Sequence, residues 1–498
     1  MTILWNGFSD LRVAIWQGTP QYCQVAPYHP HVSYPEYKIG QIGEANNPAY
    51  EGIRNLLKLL NLDSQHEGLQ SWNPLGCLVV PGNQVLIKPN FVVSRHSHGD
   101  NLYSIITHPS VLRAIIDYVY IALHGEGKII IADSPQMDCN WQELLHVTQL
   151  ETIQQLYWDR YRFDIDILDL RPFWLEQQVG DLAAYTKRRH PLAGDLSGDT
   201  IVSLGNQSAF HGFKNHQSLY GADYDRQKTI LNHHGDIHNY CISRSALNSD
   251  VVISVPKLKV HKKVGVTLNA KGLVGITTDK NYLIHYTLGT PEEGGDQFPS
   301  GILSEKEKLL VKGQRFLFDV LLSHKYIFLD QIYGLVAKTY RTFLKPRIRI
   351  TSPDRQILDG GNWYGNDSAW RMVVDLMRIA IFADRDGKLQ EKPQRKFFCV
   401  IDGIVGGEND GPISPDAKEA GILLAGFHPL AVDIVATRIM GFDWKKFKWI
   451  QRMLAEGLID SIEKIKILSL SKSLEKSLDS DDRFLDFKPH PGWRDYLS

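Results

Sequence analysis

Short apolar runs alternate along this chain with longer stretches of helical spacing. Residues 12–16, 84–88, 128–132 and 251–255 are dominated by apolar, largely β-branched side chains, the pattern of strands buried on both faces of a sheet. Residues 163–170 alternate acids with apolar side chains, as a half-buried strand does. Between these runs, Ile53, Leu56, Leu57 and Leu60 recur at helical spacing within residues 52–62, and residues 109–123 open with a proline suited to a first helical turn. Strand, helix and strand in this order imply parallel pairing through right-handed crossovers. The expected fold class is therefore α/β, a mostly parallel sheet with flanking helices, plus an inserted, aromatic-rich and mainly helical segment.

The same patterns divide the chain. Residues 1–83 read as an N-terminal strand with irregular and helical cover, 84–280 as the first part of an α/β core, and 281–350 as an insertion. Residues 351–470 read as the C-terminal part of the core and 471–498 as a polar tail rich in Ser, Asp and Lys. The insertion begins with a turn-rich acidic stretch, 285–299, which suits a flap over a cleft. It continues with Phe316, Phe318, Tyr326, Phe328, Tyr333, Tyr340 and Phe343 among basic residues in 315–345. Core packing is the default for such a stretch, with partner docking or peripheral membrane contact as the alternatives.

Three apolar runs end in polar groups: Lys88 and Asn90, Asp133 and Ser134, and then Lys257, Lys259 and His261. In a parallel sheet those ends share one edge, where open α/β sheets bind ligands. The third is the densest. Pro256 ends the run at 251–255, and Lys257, Lys259, His261, Lys262, Lys263 and Lys271 follow, punctuated by Gly265, Gly272 and Gly275. An anion is the natural partner of such a segment, although many charge runs are merely solvated turns. A fourth run, from 396, reaches Asp402 and a glycine-rich stretch with Glu408 and Asp410. It reads as a strand followed by a loop whose carboxylates either bind a hard cation such as Mg²⁺ or Mn²⁺ or simply cap a turn.

His261 stands out as a proton-handling group, since neighbouring lysines keep it neutral near pH 7. The cluster His233, His234, Asp236 and His238 offers metal-ligating side chains but matches no standard zinc motif, and reads more readily as ordinary surface histidines.

The order of KPN at 88–90, ADSP at 132–135, SVPKLKVH at 254–261, TLNAKGLVG at 267–275 and DGIVGGENDGP at 402–412 resembles a widespread prokaryotic family catalogued as DUF362, a domain of unknown function. Residues 421–441, GILLAGFHPLAVDIVATRIMG, resemble its C-terminal strand and helix, with Asp433 on the helix. The resemblance spans residues 84–445 and implies no particular reaction. Many family members carry ferredoxin-like cysteine runs. Here Cys23, Cys77, Cys139, Cys241 and Cys399 are scattered singly, so no iron–sulfur cluster is expected. The family's usual Lys-Asn is replaced by Lys271-Gly272, which removes a side-chain contact at position 272.

With 55 basic and 56 acidic residues among 498, the chain is not a globally basic nucleic-acid binder, and no specific nucleic-acid partner is expected. No apolar stretch is long enough to span a membrane, no secretory signal is visible, and isolated cysteines suit the cytoplasm. No Walker A, GxGxxG, GxSxG or HExxH pattern occurs. The leading expectation is an enzyme acting on a small anionic, phosphate- or carboxylate-bearing metabolite. Lys88, Asn90, Asp133, Ser134, Lys257 and Lys259 would bind it, His261 and Lys271 would be catalytic, and Asp402, Glu408 and Asp410 would hold a divalent metal. Phosphoryl or glycosyl-phosphate chemistry and proton abstraction both stay open. The alternative is a non-catalytic binding or assembly protein using the same cleft and an aromatic partner surface.

Overall fold

The computed structural model describes residues 7–38, 41–176, 189–221, 225–323, 357–475 and 484–497. Its centre is a sheet of ten strands. In chain order these are β1 (Arg12–Gln17), β2 (Gln84–Pro89), β3 (Lys128–Asp133), β4 (Ile165–Asp169), β5 (Val251–Val255), β6 (Lys257–His261), β7 (Gly265–Val266), β8 (Lys396–Glu408), β9 (Asp416–Gly426) and β10 (Lys466–Ser469). Across the sheet the order is β10-β1-β9-β8-β5-β2-β3-β4, with β6 pairing off β8 and β7 pairing off β6. The strands β8, β5, β2, β3 and β4 are parallel neighbours, while β9 runs against β8 and β1. The mostly parallel α/β sheet expected from the apolar runs is present.

Successive residues of the central strands feed two separate cores. Val85, Ile87, Ile129, Ile131, Val251 and Ile253 join one apolar cluster, and Leu86, Ile130 and Val252 join the other. The period of two explains why these runs carry no polar face: both faces are covered. Helices α1 (Pro48–Leu59) and α2 (Pro109–Leu123) cover the first face with Ile53, Leu56, Leu57, Leu112, Ile115 and Val119. Helices α4 (Ala369–Phe382) and α5 (Pro429–Ile439) cover the second, together with α3 (Leu268–Gly272), whose Leu268 and Ala270 lie in the same cluster. α2 has the bounds expected from its spacing. α1 begins four residues before the first residue of the expected span because Asn47 caps it, accepting the Tyr50 N–H, with Pro48 in the first turn.

The chain runs from β2 outward to β3 and β4, then returns to place β5 on the other side of β2, followed by β8. The strand order thus reverses between β2 and β5. Beyond the carboxyl ends of such a pair the connections diverge and leave a crevice.

The segment from Lys396 differs from expectation. It does not loop out after Asp402 but continues as strand to Glu408 and turns back into β9. Its glycines serve packing: a Cβ on Gly406 would stand 2.9 Å from the Leu258 carbonyl oxygen, and one on Gly411 would stand 2.1 Å from that of Val260. Side-chain-free positions there let β6 lie against the hairpin. The histidine-rich stretch is also a hairpin, His233–His234 against Ile237–Ser243, and buried His233 donates to the Tyr282 carbonyl at 2.9 Å. In the stretch expected to act as a flap, Ile284–Thr287 pairs with Leu219–Gly221. Most of the aromatic segment 315–345 lies outside the described residues. Of the tail, residues 484–497 pack onto the domain, with Phe487 and Trp493 buried.

Candidate functional site

A cavity of about 430 Å³ opens at the carboxyl ends of β2, β3 and β6. Asn90 follows β2, Asp133 and Ser134 end β3, Lys259 and His261 lie on β6, and Thr267, Lys271 and Gly272 come from the start and body of α3. Lys262, Lys263, Lys280 and His285 complete its basic lining. The expected convergence of strand ends is therefore realised for Asn90, Asp133, Ser134, Lys259, His261 and Lys271.

Most of these cations are fixed by the protein. Lys259 Nζ donates to the Ile105 carbonyl at 2.6 Å and to that of Pro412 at 3.2 Å. Lys280 Nζ donates to the Ser134 carbonyl at 2.6 Å, and Lys263 Nζ to that of Gly360. Carbonyls orient an ammonium without neutralising it, so the charge remains for a ligand. Lys88, expected to bind the substrate, does not line the cavity: its ammonium pairs with Asp133 Oδ1 at 2.6 Å and donates to the Pro89 carbonyl at 2.7 Å. Asp133 also accepts from Phe91 N and Ser134 N. Gly275 lets this pair sit against the turn that follows α3, since a Cβ there would fall 2.0 Å from Asp133 Oδ1.

Burial and mutual repulsion weaken the proton affinity of the basic set. Lys271 is lowered to about 8, first by burial and then by the charge of Lys88. Lys263 and Lys280 are each lowered to about 7, chiefly by burial. His261 is pushed well below its ordinary value by burial and then by Lys271, and His285 by burial and the same lysine. His261 is therefore neutral at pH 7. Its Nδ1 accepts the Lys263 N–H at 3.1 Å, which leaves the ring proton on Nε2. The imidazole is thus a hydrogen-bond donor, whereas Lys271 exchanges its proton near neutral pH.

Two further expectations are corrected. Lys257 does not reach the cavity. It is fully buried, donating to Tyr22 Oη at 2.6 Å and to Asp402 Oδ2 at 3.0 Å. Tyr22 in turn donates to Asp402 Oδ1 at 2.6 Å, and the His108 N–H donates to Oδ2 at 2.9 Å. This is a closed ionic cluster beneath the sheet edge.

Asp402, Glu408 and Asp410 likewise do not form a metal centre. They are strung along one strand and its turn, where six residues span about 20 Å. Asp402 is consumed by the cluster, Glu408 accepts from Lys488 N at 3.0 Å, and Asp410 stands half exposed beside His490. Among the described residues no three His, Cys, Asp or Glu side chains are grouped to hold a metal.

The sequence reading did not pick out Lys280, His285 or Thr267. Lys280 and His285 belong to the connection after α3, whose return to the cavity depends on the pairing of Ile284–Thr287. Thr267 precedes α3, and its N–H is held by the Lys259 carbonyl at 2.9 Å.

Among the described residues no helix is long and apolar enough to cross a membrane. No curated protein matches the sequence. The family model described as "Domain of unknown function (DUF362)" matches residues 85–438. That stretch carries the sheet from β2 to α5 and the whole basic lining of the cavity, and the chain belongs to this family.

Proposed function

We propose that this chain is an enzyme acting on a small anionic metabolite, working in the cytoplasm, where isolated cysteines stay reduced. The observation that carries the reading is the basic cavity at the strand-order reversal, whose lysines are oriented by backbone carbonyls and left without a matching set of carboxylates. In that arrangement an incoming anion meets preorganised charge in a partly dehydrated site. Lys271 acts as the proton acceptor, and neutral His261 donates from Nε2 to the oxygen on which charge develops. Proton transfer beside an anionic group fits these residues better than metal-assisted phosphoryl transfer, because the three acids considered for a metal are not brought together.

The test is a thermal-shift screen of phosphates, sugar phosphates and carboxylates, with any hit followed for conversion by NMR. A ligand at 100 times its Kd adds about 2.7 kcal/mol of stability. Lys271→Met is expected to weaken the hit at least tenfold. His261→Ala is expected to abolish conversion while affinity stays within a few fold. If the hit is bound but never converted, and His261→Ala changes affinity alone, the chain is a ligand-binding or assembly protein. No hit among anions refutes the reading.

A further inference from the structure

The cavity lining contains a second set of groups that the charge argument does not use. Asn90, Ser134 and Thr267 are all more than nine-tenths buried, line the cavity, and have side-chain oxygens without a hydrogen-bond partner in the protein. Their backbones are pinned. Asn90 N donates to Thr107 Oγ1 at 2.9 Å, and the Asn90 carbonyl accepts from Thr107 N at 3.1 Å. Ser134 N donates to the Gly275 carbonyl at 3.0 Å, and Thr267 N to the Lys259 carbonyl at 2.9 Å. Rigid, dehydrated and unpaired polar atoms around one cavity are unfavourable until a water or a ligand that turns the side chain satisfies them. The same cavity is lined by Val92, Met137, Leu175 and Val274, apolar side chains that a bare inorganic ion would leave untouched.

We propose that the ligand of this cavity is a phosphorylated polyol, with its phosphate on the lysines, its hydroxyls on Asn90, Ser134 and Thr267, and its carbon skeleton on the apolar wall. The proposal rests on the anion-binding reading above and adds the neutral half of the molecule. Amide and hydroxyl side chains pair with a hydroxyl as donors and as acceptors, a match that an alkyl chain cannot make. A site built to hydrogen-bond hydroxyls discriminates strongly against analogues that lack them, and the volume of about 430 Å³ accommodates a monosaccharide phosphate.

Titration calorimetry at pH 7 with glycerol 3-phosphate, ribose 5-phosphate and glucose 6-phosphate, against n-butyl phosphate and inorganic phosphate, tests it. At least one hydroxylated phosphate is expected to bind tenfold or more tightly than n-butyl phosphate. Asn90→Leu is expected to erase that margin while leaving n-butyl phosphate affinity unchanged, with Ser134→Ala as the second variant if Asn90→Leu does not fold. Equal affinity for n-butyl phosphate and the hydroxylated compounds overturns the polyol assignment and leaves the anion reading standing. Failure of every phosphate, soluble or in vesicles, to bind overturns both. A margin that persists in both variants overturns the assignment of these side chains. Vesicles containing phosphatidylinositol 4-phosphate form the lipid arm: binding to them but not to the soluble compounds supports the same chemistry with a lipid headgroup as its source.

Discussion

Lys257 and Lys271 are fourteen positions apart in one basic segment, yet the structure gives them opposite roles. Both are lowered by burial, but the carboxylate of Asp402 compensates Lys257, whereas the next contribution at Lys271 is the like charge of Lys88. Breaking a fully buried pair leaves an uncompensated charge, so Lys257→Met should lower the unfolding free energy by about 3–5 kcal/mol. Lys271→Met removes a partly dehydrated cation and should leave the ligand-free protein as stable or more so. Urea denaturation of the two variants checks the contrast, and equal losses would show that Lys257 is no structural ion. That lysines cluster here was legible in the sequence, but which of them faces the cavity was not. Alternation along an ideal strand puts Lys257, Lys259 and His261 on one side. The irregularity in β6 breaks that equivalence, since Lys257 lies opposite Asp402 and Lys259 opposite Gly407.

At the level of elements, the apolar runs identified β1, β2, β3 and β5, because a strand buried on both faces needs no context to be seen, and the acid–apolar alternation of 163–170 identified the half-buried β4. β6 was hidden because Pro256 ends β5, and lysines are poor predictors of a strand whose residues are all buried. The second signal that misled was the glycine-rich DGIVGGENDG, whose glycines accommodate β6 rather than a ligand. Asp433 shows how one element positions another. From α5 it accepts Asn269 N at 2.8 Å, Asn269 Nδ2 at 2.8 Å and Ala270 N at 2.9 Å, holding the first turn of the helix that carries Lys271. Removing the carboxylate strands three buried donors, two backbone N–H groups and the Asn269 amide, each costing about 1–3 kcal/mol. Asp433→Ala should therefore lower the melting temperature and also weaken phosphate binding. A stable variant with unchanged phosphate affinity would mean that α3 is held by packing alone.

For the whole molecule, the basic cavity sets the pH dependence of folding. Lys263 and Lys280, lowered to about 7, and Lys271, lowered to about 8, shed protons in the native state that the unfolded chain keeps until about pH 10.4. Above pH 7 the unfolded state therefore binds more protons, and stability rises with pH by up to about 1.4 kcal/mol per pH unit for each proton in the difference. Below pH 7 the picture is mixed. Buried His233 and His428, lowered to about 3 and about 4, favour folding as pH rises, while Asp375 and Asp433, raised to about 6 and about 7, oppose it. Above about pH 8.5 the buried cysteines, held protonated by burial, begin to oppose the trend. The informative window is thus pH 7 to 8.5. Without anions the melting temperature should climb across it. Saturating sulfate, a dianion that does not titrate there, should raise stability most at pH 7 and flatten the climb, because an anion in the cavity keeps Lys263 and Lys280 charged while Lys271 still exchanges its proton. The same coupling requires proton uptake on binding, seen as a calorimetric enthalpy that changes with the ionisation heat of the buffer. A flat anion-free profile, or sulfate stabilisation that is equal at both ends of the window, would show that these lysines do not share one anion site.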